Sequence, residues 1–258
     1  MIKEEKKFSD SCVFEGMSSI SAIIKAFENK KSDRKIITVL VDKNKTVSKK
    51  RELSFLRVKS KALGFNIEVV EPEIIDQMTT GMSHGGIIAQ CSERTFSELQ
   101  PSLIKPDGVY FMFEGIEDPY NFGYSVRSLY ASGCDGIILS PRNWMSAAGV
   151  VARSSAGTSE LIDMFVAEPL EAADIFSSMG YKIVCAGIRD SVSLFSADLS
   201  KPLLVVMGGE KRGISRAMLD KADQIVRIDY GRDFNGSLST AASTAIFAFE
   251  ILKNNIES

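Results

Sequence analysis

The chain has few of the residues from which disulfide, metal and triad sites are built. Its 258 residues include four cysteines, seven prolines, one tryptophan and one histidine. The cysteines, at positions 12, 91, 134 and 185, lie far apart without C-x-x-C spacing, so we expect reduced thiols. With His84 as its one histidine, a zinc site or a Ser-His-Asp triad is hard to assemble, and we predict no metal site.

Long apolar runs are also missing. Apolar residues make up 45% of the chain, yet no run approaches the roughly 18 residues that a membrane-spanning helix needs. No charged segment followed by an apolar one stands at the beginning as a leader. These features predict a globular, cytoplasmic protein with room for one large domain or two modest ones.

Net charge is close to zero, but its distribution is uneven. Residues 1–61 hold 16 Lys and Arg against 8 Asp and Glu, whereas residues 62–258 hold 15 against 25. A basic segment on an otherwise acidic protein is typical of a polyanion partner such as RNA or DNA. A solvated basic face without a ligand fits the same count equally well.

The pattern of helices and strands indicates two domains. Residues 1–91 alternate between helical patterns such as MSSISAIIKAFENK and strand patterns such as KIITVLV, which predicts a small α/β domain. Residues 92–107 are polar with two prolines and suit a linker. The remaining residues, 108–258, form the second predicted domain.

The second domain contains six apolar runs: VYFMF, GIIL, ELIDMFV, YKIVCAG, PLLVVMGG and QIVRI. Helical or loop segments separate them, which is the pattern of a mostly parallel sheet covered on both faces. Such sheets bind ligands beyond the carboxyl ends of their strands. A functional site is therefore expected in the loops that follow these runs.

The first of these loops has an unusual composition, DPYNFGYSVRS. Its Asp-Pro pair predicts a turn, and Asn121 or a neighbour can cap a helix running to about residue 132. Gly123 permits a backbone or a ligand to come close to the first turn of this helix. Arg127 follows four residues later, about one helical turn, so it projects from roughly the same face of the helix. Taken alone, these residues favour a structural role in which Arg127 pairs with an acid such as Asp118.

Two further blocks, VVMGGEKRGIS and GSLSTAASTAIFAFE, change that interpretation. In order, spacing and strand context the three blocks resemble the motifs of the SpoU or TrmH (SPOUT) family of RNA ribose 2′-O-methyltransferases. The region ending in SHGGIIAQ is similar to the RNA-binding domain that precedes the catalytic domain in ribosomal-RNA members. The resemblance covers nearly the whole chain. It implies an α/β catalytic domain with a deep trefoil knot, S-adenosylmethionine bound in the knot, and a homodimer.

The resemblance also implies a cofactor pocket made mainly by loop backbone. Glycines suit such a pocket because they remove Cβ atoms where a ligand lies against the chain, although each glycine also fits an ordinary turn. No G-x-G-x-x-G follows the first strand, so a conventional dinucleotide site is not expected. The implied cofactor-binding residues are Ala186, Gly187, Gly208, Gly209, Glu210, Gly213, Ile228, Ser237 and Leu238.

The implied catalytic residues are Arg127, Asn121, Glu210 and Ser239. The family's arginine is often described as a general base, but a guanidinium keeps its proton up to a pKa above about 12. We therefore favour electrostatic stabilisation of the developing alkoxide, or of a neighbouring phosphate, by Arg127. Asn121 would position the arginine or the ribose, and Glu210 would hold the arginine or receive a proton through water.

The third motif departs from the family pattern. SpoU proteins commonly have S-L-N-x-S, whereas this chain has SLSTA, so Ser239 replaces the asparagine and Ala241 the second serine. A serine hydroxyl is shorter than an amide and has fewer hydrogen-bonding groups. This change raises the alternative of an RNA-binding protein that keeps the fold but transfers methyl groups weakly or not at all. Asn235 is a candidate to compensate.

RNA contacts are expected from both domains. The candidates are Lys49, Lys50, Arg51, His84, Arg153, Ser154 and Ser155. Basic side chains would contact phosphates and make the affinity sensitive to salt. The loop that carries Arg153 also fits a plain connection between a helix and a strand. Ribosomal RNA is favoured over transfer RNA because the first domain resembles the ribosomal type.

Overall fold

The computed structural model describes residues 12–79, 84–141 and 147–256. These residues form two compact units. The first contains residues 12–95 together with 147–161, and the second contains residues 96–141 and 162–256. Each unit has its own sheet and its own apolar core.

The helices and strands follow the expected alternation. The strands are β1 (Val13–Glu15), β2 (Ile36–Asp42), β3 (Asn66–Val70), β4 (Ile87–Cys91), β5 (Ser97–Glu98), β6 (Val109–Glu114), β7 (Gly136–Leu139), β8 (Met164–Val166), β9 (Lys182–Ala186), β10 (Val192–Ser193), β11 (Leu203–Gly208) and β12 (Gln224–Arg227). The helices are α1 (Gly16–Glu28), α2 (Lys50–Leu63), α3 (Pro72–Met78), α4 (Pro119–Ala131), α5 (Ala148–Ser154), α6 (Pro169–Ser178), α7 (Arg216–Leu219) and α8 (Thr240–Ile256).

The first unit has a four-stranded mixed sheet in the order β1-β4-β2-β3. Strand β4 is antiparallel to β1 and β2, and β3 is parallel to β2. Helix α1 buries Ile20, Ile23 and Ile24 against one face, at the spacing that puts side chains on one side of a helix. Ile75 of α3 is buried against the other face, so both faces of the sheet are covered.

The segment 147–161, which the sequence pattern places in the second domain, packs within the first unit. Ala152 of α5 belongs to the core beneath α1. Gly157 has a φ of +86°, and a Cβ there would come within 2.6 Å of Ala22 and 2.8 Å of the Ser18 carbonyl oxygen. Glycine therefore allows this segment to lie directly against α1, and sequence periodicity gives no sign of such a contact.

A buried charged cluster ties the same segment to the first unit. Glu160 is buried and accepts a hydrogen bond from Arg34 Nε at 3.1 Å, while Arg94 Nη1 lies 4.0 Å from the same carboxylate oxygen. Arg34 also donates to the Ser92 carbonyl, and Arg94 donates to the Ser159 carbonyl. Pairing and hydrogen bonding offset the cost of burying these side chains.

The second unit is built on an eight-stranded sheet in the order β10-β12-β9-β11-β6-β7-β8-β5, with every pair parallel. Its central strands are buried along nearly their whole length. The predicted α/β class and parallel sheet are confirmed. Strand β5, inside the predicted linker, joins this sheet at its edge.

Two boundaries differ from the sequence-based expectation. The last helix begins at Thr240 rather than near Ser237, because Ser239 caps it. The predicted run ELIDMFV forms a strand only at Met164–Val166, since residues 158–160 make a short 3₁₀ turn. Among the residues that the structure describes, no helix is both long and apolar enough to cross a bilayer.

Candidate cofactor and catalytic site

A cavity of about 540 Å³ opens at the carboxyl ends of β9, β11 and β12, which are adjacent in the second unit's sheet. Its walls come from the ends of these strands, from the loop before α8 and from α8 itself. Seven of the nine predicted cofactor-binding residues line it: Ala186, Gly187, Gly208, Gly213, Ile228, Ser237 and Leu238. Gly209 and Glu210 are not among the lining residues.

Glycine backbones shape this cavity. A Cβ on Gly187 would come within 2.9 Å of Ile225, and one on Gly208 would come within 2.8 Å of the Gly213 Cα. Gly209 is still tighter, because its Cβ would lie 2.0 Å from the Gly115 carbonyl oxygen. The loops therefore take up their positions only because side chains are absent. The result is a cradle of backbone groups with apolar side chains around it.

Glu114, at the end of β6, holds both sides of the loop between β11 and α7. Its backbone carbonyl accepts from Gly209 N at 2.8 Å, and its Oε2 accepts from Ser215 N at 3.1 Å. The same loop is closed by a hydrogen bond from Gly213 N to the Gly209 carbonyl. Glu114 is not among the residues predicted from the sequence, although an acid at the end of an apolar strand is a recognisable signal.

Asn121 and Glu210 meet at the edge of this loop. Asn121 Nδ2 donates to Glu210 Oε1 at 3.0 Å, joining residues 89 positions apart in the chain. Helix α4 is capped by Asp118, whose Oδ1 accepts from the backbone N–H groups of Tyr120 and Asn121. Asp118, and not Asn121, is therefore the cap, which leaves the Asn121 amide for the contact with Glu210.

Arg127 lies elsewhere on α4. It is exposed, does not line the cavity, and has no ion-pair partner within the described ranges. Asp118, the acid suggested by its position in the sequence, caps the helix instead of pairing with Arg127. A single chain thus brings Asn121 and Glu210 together but does not bring Arg127 to the cavity.

Ser239 has a definite structural task. Its hydroxyl accepts from Ala242 N at 3.2 Å and its carbonyl accepts from Ser243 N at 3.0 Å, the pattern of a helix N-cap. Serine and asparagine are both strong N-cap residues. The serine that replaces the asparagine of the third motif therefore keeps the start of α8 in place.

Aromatic residues that sequence reasoning missed also line the cavity. Tyr230 and Phe234 pack with their ring centroids 5.6 Å apart, and the Tyr230 hydroxyl accepts from Leu238 N at 3.2 Å. This bond holds the loop that carries Ser237 and Leu238. The signal in the sequence was the aromatic pair in DYGRDFNG, between the last strand and the last helix.

Electrostatic features near the cavity are modest. Burial raises the pKa of the Cys185 thiol in β9 to about 12, so this thiol is neutral. Lys211, in the loop after β11, pairs with Glu117 at 2.7 Å, and this hydrogen bond raises the pKa of the lysine. Neither group presents a nucleophile to the cavity.

The predicted RNA-contacting residues lie in the first unit and fall into three sets. Lys49, His84 and Arg153 come together around a second cavity. Ser154 and Ser155 are buried, and their hydroxyls donate to carbonyls of their own helix, Val150 and Ala152. This placement does not support a phosphate contact for the two serines. Lys50 and Arg51 are exposed in the first turn of α2.

These features define a class of protein: an α/β protein with a backbone-lined ligand pocket at the carboxyl edge of a parallel sheet, preceded by a basic domain. Models of known families give the particular family. The model described as the SpoU rRNA Methylase family matches residues 108–249, more than half of the chain. The protein therefore belongs to the SpoU rRNA methylase family. A second model, RNA 2′-O ribose methyltransferase substrate binding, matches residues 15–97.

Similar proteins agree with this assignment. The 23S rRNA (guanosine-2′-O-)-methyltransferase RlmB of Shewanella oneidensis is 28% identical over 199 residues, covering 75% of this chain and 80% of that protein. A crystal structure of an RNA 2′-O ribose methyltransferase has a TM-score of 0.78 at 23% identity, covering 98% and 93% of the two chains. The AdoMet complex of AviRb from Streptomyces viridochromogenes has a TM-score of 0.78 at 20% identity, covering 95% and 91%.

Proposed function

We propose that the protein transfers a methyl group from S-adenosylmethionine to the 2′-hydroxyl of a ribose in RNA, ribosomal RNA being favoured over transfer RNA. The observation that carries the proposal is the cavity at β9, β11 and β12. It gathers residues from two of the three sequence motifs, together with Ala186 and Gly187, in one place. The second unit would be the methyltransferase domain and the first the RNA-binding domain.

The cavity fits the proposed cofactor. Its volume of about 540 Å³ lies within the about 300–1,000 Å³ usual for small-molecule pockets. Apolar side chains such as Leu219, Ile225 and Phe247 suit a flat adenine ring, while backbone groups freed of Cβ atoms suit the polar edges of a nucleoside. Gly187, Gly208, Gly213 and Leu238 would hold the cofactor, together with Gly209 and Glu210 from the adjoining loop. When bound, it would supply an electrophilic methyl group.

The protein's own residues would then prepare the ribose. The attacking hydroxyl oxygen gains negative charge as its proton leaves, so a fixed positive charge lowers the barrier. Arg127, exposed and without an ion-pair partner in the described structure, is suited to that task. Asn121 and Glu210, joined at 3.0 Å, would orient the ribose and take up the proton through water.

Ribosomal RNA is the proposed substrate class for two reasons. The first unit matches a substrate-binding model of RNA 2′-O ribose methyltransferases. It also contains most of residues 1–61, in which Lys and Arg outnumber Asp and Glu. The relative from Shewanella oneidensis is named for its action on 23S rRNA. A cytoplasmic location, the compartment of bacterial ribosomes, belongs to the same proposal.

A homodimer formed by the second unit is part of the proposal. Helix α8 packs on α4, and both helices still expose large aromatic side chains, among them Tyr124 at 49% and Phe249 at 48%. Exposed apolar patches of this kind mark protein–protein contacts. A second copy would cover these aromatic side chains. In such a dimer, Arg127 would reach a cavity. The deep knot implied by the family stays a prediction.

A protein that keeps the fold for RNA binding alone is the second candidate, motivated by the altered third motif. The capping role of Ser239 weakens this alternative, because the serine preserves the start of α8 that borders the cavity. Asn121, Glu210 and Arg127 are all retained. The enzyme is therefore the better-supported function.

The first test is calorimetric titration of the purified protein with S-adenosylmethionine. We expect saturable binding at about one molecule per chain. Transfer of a radiolabelled methyl group to total bacterial RNA, followed by nuclease digestion, should then yield a 2′-O-methylated nucleoside. Cofactor binding without any transfer to RNA would favour the silent binding protein, and absence of both would contradict the proposed function.

A further inference from the structure

The first unit contains a second cavity, of about 260 Å³, that the proposed methyl transfer does not use. It lies at the amino end of α1. The polar residues around it include Ser18, Ser19, Lys49, His84 and Arg153. These side chains come from four separate stretches of the chain. The volume is smaller than the about 300–1,000 Å³ of ordinary small-molecule pockets, so it suits a compact group.

The amino end of α1 presents backbone N–H donors to this cavity. The helix has 13 residues, Glu15 at the N-cap makes no side-chain capping bond, and its first turn contains no acid. Gly16, Met17, Ser18 and Ser19, the first residues of the helix, all line the cavity. The first four N–H groups of a helix have no acceptor within it, and the helix dipole favours an anion beside them.

His84 provides an independent sign of a missing partner. Its side chain is only 10% exposed, and its Nδ1 accepts from Gly86 N at 3.1 Å, so Nε2 carries the hydrogen. Nε2 is buried and makes no hydrogen bond in the described part of the chain, and Asp76 Oδ1 lies 3.5 Å from it. A buried donor without an acceptor is costly, which points to a ligand that supplies one.

The charges around the cavity favour an anion. Lys49 and Arg153 are the two cations among the described lining residues, against one acid, Glu15. Arg153 Nη1 lies 2.6 Å from Glu15 Oε2, and Lys49 Nζ lies 2.9 Å from Glu52 Oε1. A guanidinium and an ammonium are both donors only, so the two cations suit a ligand whose polar atoms are acceptors. The carboxylate of Glu15 also orients the guanidinium beside the helix terminus.

We propose that this cavity binds a phosphate group of the RNA backbone and thereby anchors the substrate to the first unit. The inference rests on the proposed function, because RNA is the anion that this unit would meet. Helix α2 begins at Lys50, directly after Lys49, so its exposed basic first turn would contact the neighbouring phosphates. The donors contact phosphate oxygens only, so the anchor is independent of base sequence.

Ser18→Asp is the most informative variant. Ser18 is exposed and stands in the first turn of α1, where a carboxylate favours the helix, so folding should be retained. The new carboxylate would occupy the donors and repel a phosphate. Asn66→Asp is the matched control, because it adds the same charge at an exposed position of β3 that does not line the cavity.

RNA affinity is measured with a fluorescent single-stranded 20-mer over a range of salt concentrations. Loss of a charge-assisted contact should weaken binding by Ser18→Asp about tenfold. The slope of log affinity against log salt should become shallower by about 0.7, the value for one phosphate of a single strand. Asn66→Asp should change the affinity less than about twofold, as a distant, screened charge does. Equal affinities for Ser18→Asp and the wild type would overturn the inference.

His84 gives a direct readout because it is the chain's one histidine, so its imidazole proton signals in NMR are unambiguous. We expect the RNA to shift these signals in the wild type and not in Ser18→Asp. RNA binding that leaves them unmoved would contradict this inference alone. A wild type that binds no RNA would contradict the proposed function as well. The His84 signals are also recorded during titration with millimolar inorganic phosphate. If phosphate shifts them saturably and RNA does not shift them, the cavity binds a free anion and the RNA assignment is overturned.

Discussion

The two units of this protein make their binding surfaces in opposite ways. In the second unit, glycines bring backbone groups to the carboxyl edge of an all-parallel sheet, and the cavity has mainly apolar walls. In the first unit, the lining of a smaller cavity includes the charged residues Glu15, Lys49 and Arg153, and the core itself contains a buried Arg-Glu-Arg cluster. A pocket made of backbone groups suits a cofactor that always has the same shape. Charged side chains suit a polyanion, whose shape differs from one binding site to the next.

The difference extends to what holds each unit together. The second unit depends on buried strands of Val, Leu, Ile and Met, and its ion pairs are mostly at the surface. The first unit depends partly on charges that must remain paired in the interior. Removal of one charge should therefore have different consequences in the two units: a large loss of stability where the charge is buried in the first unit, and little loss where it is exposed in the second.

The largest effect is expected from Glu160→Gln in the first unit. This change leaves Arg34 and Arg94 buried without their carboxylate, and breaking a buried pair costs about 3–5 kcal/mol of unfolding free energy. Urea unfolding, combined with hydrogen exchange of peptides from β2 and β4, would locate the loss in the first unit.

The control for Glu160→Gln is Asp220→Asn, which breaks the exposed pair with Arg216 in the second unit. Exposed pairs contribute about 0–1 kcal/mol, so this variant should unfold nearly as the wild type does. If the two variants lose the same stability, the contrast between buried and exposed charge in the two units does not hold.

Arg127→Ala should have the second-largest effect, on rate rather than stability. If Arg127 stabilises the developing oxyanion as proposed, its removal should lower the rate of methyl transfer about 10²–10³-fold. Because the proposed role of Arg127 is toward the ribose hydroxyl and not toward the cofactor, affinity for S-adenosylmethionine should be unchanged. Single-turnover transfer assays and calorimetry separate the two quantities.

Arg216→Ala serves as the control for Arg127→Ala, since it removes an exposed guanidinium from the same unit. It should leave both the rate and the cofactor affinity as they are. An unchanged transfer rate in Arg127→Ala would remove Arg127 from the mechanism. A weakened cofactor affinity would instead place Arg127 at the pocket, contrary to the geometry of the single chain.

Gly209→Ala tests the backbone cradle. An added Cβ would lie 2.0 Å from the Gly115 carbonyl oxygen, so the loop after β11 or the end of β6 must move. Such overpacking costs about 1–3 kcal/mol and should also lower cofactor affinity, since Gly208 lines the cavity. Gly231→Ala is the control, because a Cβ there meets no atom within 4 Å. Equal melting temperatures and cofactor affinities for the two variants would refute a cradle that depends on glycine.

Much of this architecture follows from the sequence because its signals are local. The apolar runs of β6, β9 and β11 and the Asp-Pro start of α4 each indicate an element within a few residues of its observed position. The second and third motifs also indicated loops that form the cavity of about 540 Å³. Predicted lining residues such as Gly187, Gly208 and Leu238 do meet there.

What the sequence could not provide depends on contacts between distant residues. The 147–161 segment joins the first unit through Gly157 and Glu160, whose partners on α1 and at Arg34 are more than 100 positions away. Glu114 holds a loop that begins about 95 residues later in the chain. Hydrophobic periodicity reports which face of an element is buried, but not which element covers it.

Ser239 provides the smallest and most discriminating test, because capping and catalysis predict different results. If its hydroxyl acts as the N-cap of α8, Ser239→Ala should destabilise the protein by about 1 kcal/mol, and Ser239→Asn should restore the lost stability. Melting curves and cofactor titrations of the two variants measure these effects. A faster methyl transfer in Ser239→Asn would show that the family's amide contributes beyond capping, whereas wild-type stability in Ser239→Ala would argue against the cap. The second unit would then tolerate the change because its cavity depends on glycine backbones, which the variant leaves intact.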